Sequence, residues 1–111
     1  MIGKYKADGI SWVFVQNDDM ALGAAQAVDA AALKGKVKIV GVDGTKPALQ
    51  AVADGGLAFD IETNPLFGKL TAQAVKDHLD GEQVKANNIV ASETFDRAQA
   101  KAALDSGERQ Y

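Results

Sequence analysis

The chain has 111 residues, of which 47% are hydrophobic and 24% charged, with a formal net charge of -3. That length allows one small domain burying roughly two thirds of its unfolded surface, and an acidic balance argues against a nucleic-acid binder, which shows a basic face. Cysteine is absent, which excludes disulfide frameworks and thiolate zinc sites, and no run approaches the roughly 20 apolar residues of a membrane span.

Lys4-Tyr5-Lys6 reads as the frayed end of a preceding helix or linker. The stretch MIGKYKADGISWVF lacks the apolar core and small-residue cleavage site of a secretory signal. Trp12-Val13-Phe14-Val15 predicts a strand buried on both faces. Asn17 or Asp18 caps the next helix, and Asp18 and Asp19 complement its dipole. That helix is predicted from about Asp19 to Leu33, ended by Gly35. Residues 37–42 predict a second strand, closed by Asp43-Gly44-Thr45, and Pro47 opens a helix to about Asp54. Residues 57–61 predict a third strand, closed by Glu62-Thr63-Asn64, and Pro65 opens a helix to about Leu79. Val84 to Glu93 reads as extended, Asp96 to Leu104 as helical, and the tail DSGERQY as frayed. Such β-α alternation predicts an α/β fold: a parallel sheet with helical crossovers, layered by helices on both faces.

Ligands of open parallel sheets bind outside the carboxyl ends of the strands. All three predicted strands end there in polar clusters, Gln16-Asn17-Asp18, Asp43-Gly44-Thr45 and Glu62-Thr63-Asn64. Turn chemistry alone places polar residues in such loops, and capping accounts for one Asn or Asp in each. Three rich clusters on one edge exceed that demand. Asn17, Asp43 and Thr63 side by side would offer amide, carboxylate and hydroxyl groups to a neutral, hydroxyl-rich ligand.

The stretches FVQNDDMALGAAQAV and VKIVGVDGTKPALQAVADGGLAFDIETNP, spanning residues 14 to 65, closely resemble the periplasmic sugar-binding proteins of ABC transporters, the ribose-binding-protein-like group of type I periplasmic binding proteins. The likeness covers roughly residues 10 to 82. It implies two α/β lobes joined by crossing segments, with a sugar held in the cleft between them. It implies ligand contacts at Asn17 and Asp43, and a third polar position at Thr63, where the group usually has Gln. Gly23 and Gly41 are then close-packing positions. The chain would cross between lobes near Asn64-Pro65, so residues 65–82 would form a helix of the other lobe. Against proteins near 300 residues long, residues 1–111 would be a partial carboxy-terminal lobe, a fragment expected to bind sugar weakly or not at all. The implied parent is extracytoplasmic, works with a membrane permease, and performs no chemistry and needs no cofactor or metal. Exposed strand edge or exchanged carboxy-terminal elements would favour self-association.

The effector-binding domain of lactose-repressor-type regulators is the nearest rival, with a similar ND-MA-G turn. It usually carries a PP-LTTV-like stretch before the third strand, where this chain has QAVADGGLAFDI. A haloacid-dehalogenase-type reading of VGVDGT fails at Gly41, which stands where the nucleophilic Asp is needed. Asp60 and Glu62 read as solvated charge rather than a metal site, and His78 as structural or exposed. Trp12, Phe14 and Phe59 are expected in the core; Phe67, just after the crossing, is expected in core packing, with approach to a ligand as the alternative.

Overall fold

A computed structural model describes residues 9–111; the reading of Lys4-Tyr5-Lys6 lies outside them. The chain order is β1 (Trp12–Phe14), α1 (Asp18–Ala30), β2 (Lys38–Asp43), α2 (Lys46–Ala53), β3 (Phe59–Glu62), α3 (Gly68–Leu79), β4 (Thr94–Phe95) and α4 (Arg97–Asp105). The strands form one sheet in the order β1-β2-β3-β4. The pairs β1-β2 and β2-β3 are parallel, as the alternation predicts. The short β4 runs antiparallel to β3, pairing Phe95 with Asp60 and Thr94 with Ile61. The sheet is therefore mixed. Residues 84–93 contribute no strand, because their sequence, with Asn87-Asn88 at its centre, lacks the alternation that a half-buried strand needs.

Local chemistry sets most boundaries. Asn17 caps α1, its side-chain oxygen accepting from the N–H groups of Asp19 and Met20. Helix α1 stops at Ala30, three residues short of the predicted end. Ala32 turns left-handed (φ 55°), and the Leu33 N–H donates to the Val28 carbonyl. That reversal swings Leu33 into the core. Pro47 sits in the first turn of α2, where its missing N–H has no partner to lose. Helix α3 begins at Gly68 rather than Pro65, since the Asn64 side chain accepts from the Leu66 N–H and closes a turn first. Asp96 and Gln99 form a capping box on α4.

The core lies on one side of the sheet. Helix α1 packs on β2, and α2 lies between α1 and α4. Ala21, Val28, Leu49, Val52 and Ala100 of these helices are buried with Ile39 and Phe95 of the sheet. Along β2 and β3 the residues beneath the helices, Ile39, Gly41, Asp60 and Glu62, are buried, while Val40, Val42, Phe59 and Ile61 between them are only half-buried. Register sets Phe14, Val40 and Phe59 in one row of that second face.

Among the described residues the second face lacks the helical layer that the fold class leads one to expect. This corrects two core assignments: Trp12 is 58% and Phe14 64% exposed. Both lie on the edge strand, which no described element covers from the side or on that face. Phe67 is exposed too, and a Cβ added at Gly23 would meet nothing within 4 Å, so Gly23 is not a close-packing position. Helix α3 buries none of its residues. The Cα radius of gyration is 18.1 Å, against about 13 Å for a compact domain of this length.

Candidate functional site

The carboxyl ends of β1, β2 and β3 share one edge, and Asn17, Asp43 and Thr63 follow or end these strands. The Asn17 side-chain amide uses both ends: Oδ1 caps α1, and Nδ2 donates to Asp43 Oδ2 at 2.8 Å. The amide is thus fixed in orientation, and so is the carboxylate it holds. Asp43 Oδ1 receives no hydrogen bond from the described residues. Asp43 has φ 130° and Gly44 φ 77°. A positive φ at a residue with a Cβ costs of order 1–3 kcal/mol and persists only where surroundings over-determine it. Thr63 joins through its backbone, its N–H donating to the Asp43 carbonyl at 3.2 Å, and the residue is exposed. All three candidates therefore meet, Asn17 and Asp43 by side chains and Thr63 by main chain.

A second tier lies directly below. Asp18, 1% exposed, accepts through Oδ2 from the Thr45 N–H at 2.7 Å and the Thr45 hydroxyl at 2.8 Å. Asp60 is 0% exposed and stands beside Asp18. Among the described residues, Asp18 Oδ1 and both Asp60 oxygens have no hydrogen-bond partner. Gly41 makes room for them, since a Cβ there would sit 2.9 Å from Asp18 Oδ1 and 3.4 Å from Asp60 Oδ2. Burial, then the neighbouring Asp18 carboxylate, push the Asp60 pKa up to about 7. A proton on Asp60 is the donor this arrangement lacks, bridging it to Asp18.

The expectation of solvated charge at Asp60 and Glu62 is therefore corrected. Both point beneath the helices, while the apolar Phe59 and Ile61 face the bare side. Glu62 is held by the tail that reads as frayed in sequence. Its carboxylate accepts from the Arg109 guanidinium at 2.6 Å, from the Tyr111 hydroxyl and from the Glu93 N–H at 2.9 Å. Burial pushes the Glu62 pKa up, but these three donors and the Arg109 charge outweigh it and leave the pKa lowered. The Tyr111 hydroxyl is pushed up to about 12, by burial and then by Glu62. Arg109 also donates from Nε and Nη2 to the Gly44 carbonyl, at 2.9 and 2.6 Å. The signal for this tail was the Arg-x-Tyr ending itself, opposite an acid in β3. No group of three or more His, Cys, Asp or Glu able to hold a metal ion occurs among the described residues.

The structure thus shows a polar rim at the ends of parallel strands, with a carboxylate pinned by an amide. A family model described as a periplasmic binding protein domain matches residues 1–83. The chain belongs to the periplasmic binding protein family. It is 60% identical over all 111 residues to a fructose import binding protein of Bifidobacterium longum, covering 34% of that protein. The chain thus spans about a third of the length of this relative. A crystal structure from Mycobacterium smegmatis in complex with β-D-fucofuranose superposes with a TM-score of 0.84 at 41% identity, over 96% of this chain and 36% of that one. The periplasmic binding protein of an arabinose ABC transporter from Shewanella sp. ANA-3, bound to α- and β-L-arabinofuranose, matches with a TM-score of 0.78 at 33% identity, over 88% and 33% of the two chains. The relatives are solute-binding proteins rather than enzymes, and the transporter side of the resemblance, not the repressor side, is the one they share.

Proposed function

We propose that this chain forms the ligand-facing part of one lobe of an extracytoplasmic sugar-binding protein serving an ABC importer. Asn17 and Asp43 hydrogen-bond the hydroxyls of a monosaccharide, with Thr63 adding a third polar contact at the rim. The single observation that supports this most is the Asn17–Asp43 pair, fixed at 2.8 Å on the carboxyl edge of the parallel strands. The furanose ligands named for two relatives, and fructose for a third, favour a sugar in furanose form. The role is binding without chemistry. Helix α3, which buries nothing against the rest, belongs in this reading to the opposite lobe, and the closed two-lobed protein docks on a permease.

Three such contacts contribute roughly 3–5 kcal/mol, against an estimated ~4–15 kcal/mol for immobilising a ligand. The 111 residues alone are therefore expected to bind sugar weakly or not at all. The test is a hybrid in which they replace the matching third of the Bifidobacterium longum relative. Calorimetry with fructose, arabinose and fucose should give an affinity near micromolar for at least one sugar, well above that of the isolated chain. A folded hybrid that binds none of them contradicts the proposal.

The bare sheet face and the edge strand β1 carry a second expectation. Exposed Trp12 and Phe14, on a strand whose outer side pairs with no described strand, form a template for another chain. The isolated chain should run as a dimer or larger in light scattering at high concentration, and shift toward monomer when Phe14 is changed to Lys. A monomer at every concentration argues against it.

A further inference from the structure

The Asp43-Gly44-Thr45 turn carries two consecutive positive φ values, 130° and 77°, so it must be held from outside. Three of its holds come from the neighbouring strand ends: the Asn17 amide on the Asp43 carboxylate, the Thr63 N–H on the Asp43 carbonyl, and Asp18 on both Thr45 donors. The fourth comes from 65 residues along the chain. Arg109 points Nε and Nη2 at one atom, the Gly44 carbonyl oxygen. A Cβ on Gly44 would run into this guanidinium, so glycine serves both the turn and the close approach.

Arg109 is itself fixed on all sides. Nη1 binds Glu62, and the guanidinium lies over the rings of Phe95 and Tyr111 at 4.8 and 4.4 Å. Tyr111 in turn donates its hydroxyl to Glu62 and accepts the Lys46 N–H at 2.9 Å on its carbonyl. A planar guanidinium donating twice to one carbonyl fixes the direction of that peptide in a way an ammonium does not. We propose that Arg109 is a positioning residue for ligand binding: its two bonds to the Gly44 carbonyl hold the turn in the shape that presents the Asp43 carboxylate. This rests on the sugar-binding reading for its consequence, though not for its geometry.

The test is Arg109→Lys, made in this chain and in the hybrid. Lysine keeps a cation for Glu62 but gives up the fork on Gly44. Amide exchange at Thr45 and Thr63, referred to the core amide of Ile39 in the same sample, should quicken by about tenfold. Sugar affinity of the folded hybrid should fall by about tenfold. Arg109→Gln, planar but neutral, retains one donor and should fall between; it carries the same reading if the lysine variant fails to fold. Exchange within about twofold of the parent overturns the brace whatever the titration gives. Faster exchange with unchanged affinity, in a hybrid that binds sugar, overturns the positioning role. A parent hybrid that binds no sugar refutes the sugar reading instead, and the exchange rates then decide the brace alone.

Discussion

Asp60→Asn should stabilise the protein above neutral pH and remove most of its pH dependence between about 4 and 7. In the native chain Asp60 is buried against Asp18, and its pKa rises from the ordinary 3.8 to about 7. Between those values the folded state holds a proton that the unfolded state has released. Stability is therefore highest below about pH 4 as far as this group is concerned, falls as pH rises through the window, and is level above 7. Above that value Asp60 carries a buried charge beside Asp18, and neither of its oxygens has a hydrogen-bond partner among the described residues. Asparagine has nearly the same shape and always carries a donor for Asp18 Oδ1. Denaturant melts at pH 8 should show a gain of roughly 2–4 kcal/mol over the parent, shrinking to little at pH 4–5. Glu62 works with the opposite sign. Its lowered pKa gives stability that is present above the usual carboxylate range and is lost as pH falls through its own pKa. The parent should thus lose stability on both sides of a mildly acidic optimum. A variant no more stable than the parent at pH 8 would mean that Asp60 and Asp18 do not share a proton.

Gly41→Ala should be among the most damaging single-methyl changes in the chain. The added Cβ lands 2.9 Å from Asp18 Oδ1 and 3.4 Å from the Ala21 side chain. Asp18 cannot swing aside freely, because its other oxygen holds the Thr45 N–H and hydroxyl, and Ala21 is fully buried. Overpacking of this kind typically costs about 1–3 kcal/mol. Loosening two bonds to a charged acceptor adds about 1.5–3 kcal/mol. The expected loss is roughly 3 kcal/mol or more by urea denaturation, together with weaker sugar binding in the hybrid, since Thr45 closes the turn that carries Asp43. Gly23→Ala is the internal control: with open space around it and a helical backbone, it should gain slightly. A loss at Gly41 no greater than at Gly23 would contradict the packing described for the second tier.

The β-α alternation was legible because its punctuation is local. Asn17 before α1, Pro47 in α2, and Asp96 with Gln99 at α4 each act within a few residues. Asn17 and Asp43 were legible for a related reason: a polar cluster that ends a strand lands on the carboxyl edge wherever the strand pairs in parallel. Which face is covered was not legible. Phe59 and Ile61 look like the core face of β3, and Asp60 and Glu62 like its wet face, yet the helices cover the acids. Composition cannot reveal this, because the outcome depends on where neighbouring elements lie, not on the strand itself. The tail was lost for the complementary reason. Ser106 to Tyr111 has the small and charged residues of a frayed end, and its order comes from partners 47 to 65 residues away. Trp12 and Phe14 were placed in the core by hydrophobicity, which does not say whether a second layer is present.

Asp43→Asn in the hybrid, titrated with the sugar that the parent hybrid binds best, tests the central claim most directly. Asparagine keeps the shape and tolerates unusual backbone angles, but it removes the charged acceptor that the proposal assigns to the sugar's hydroxyls. Affinity should fall about 30-fold or more, with melting temperature nearly unchanged. Equal affinity in parent and variant would contradict the claim that the rim of Asn17 and Asp43 is where the sugar is held.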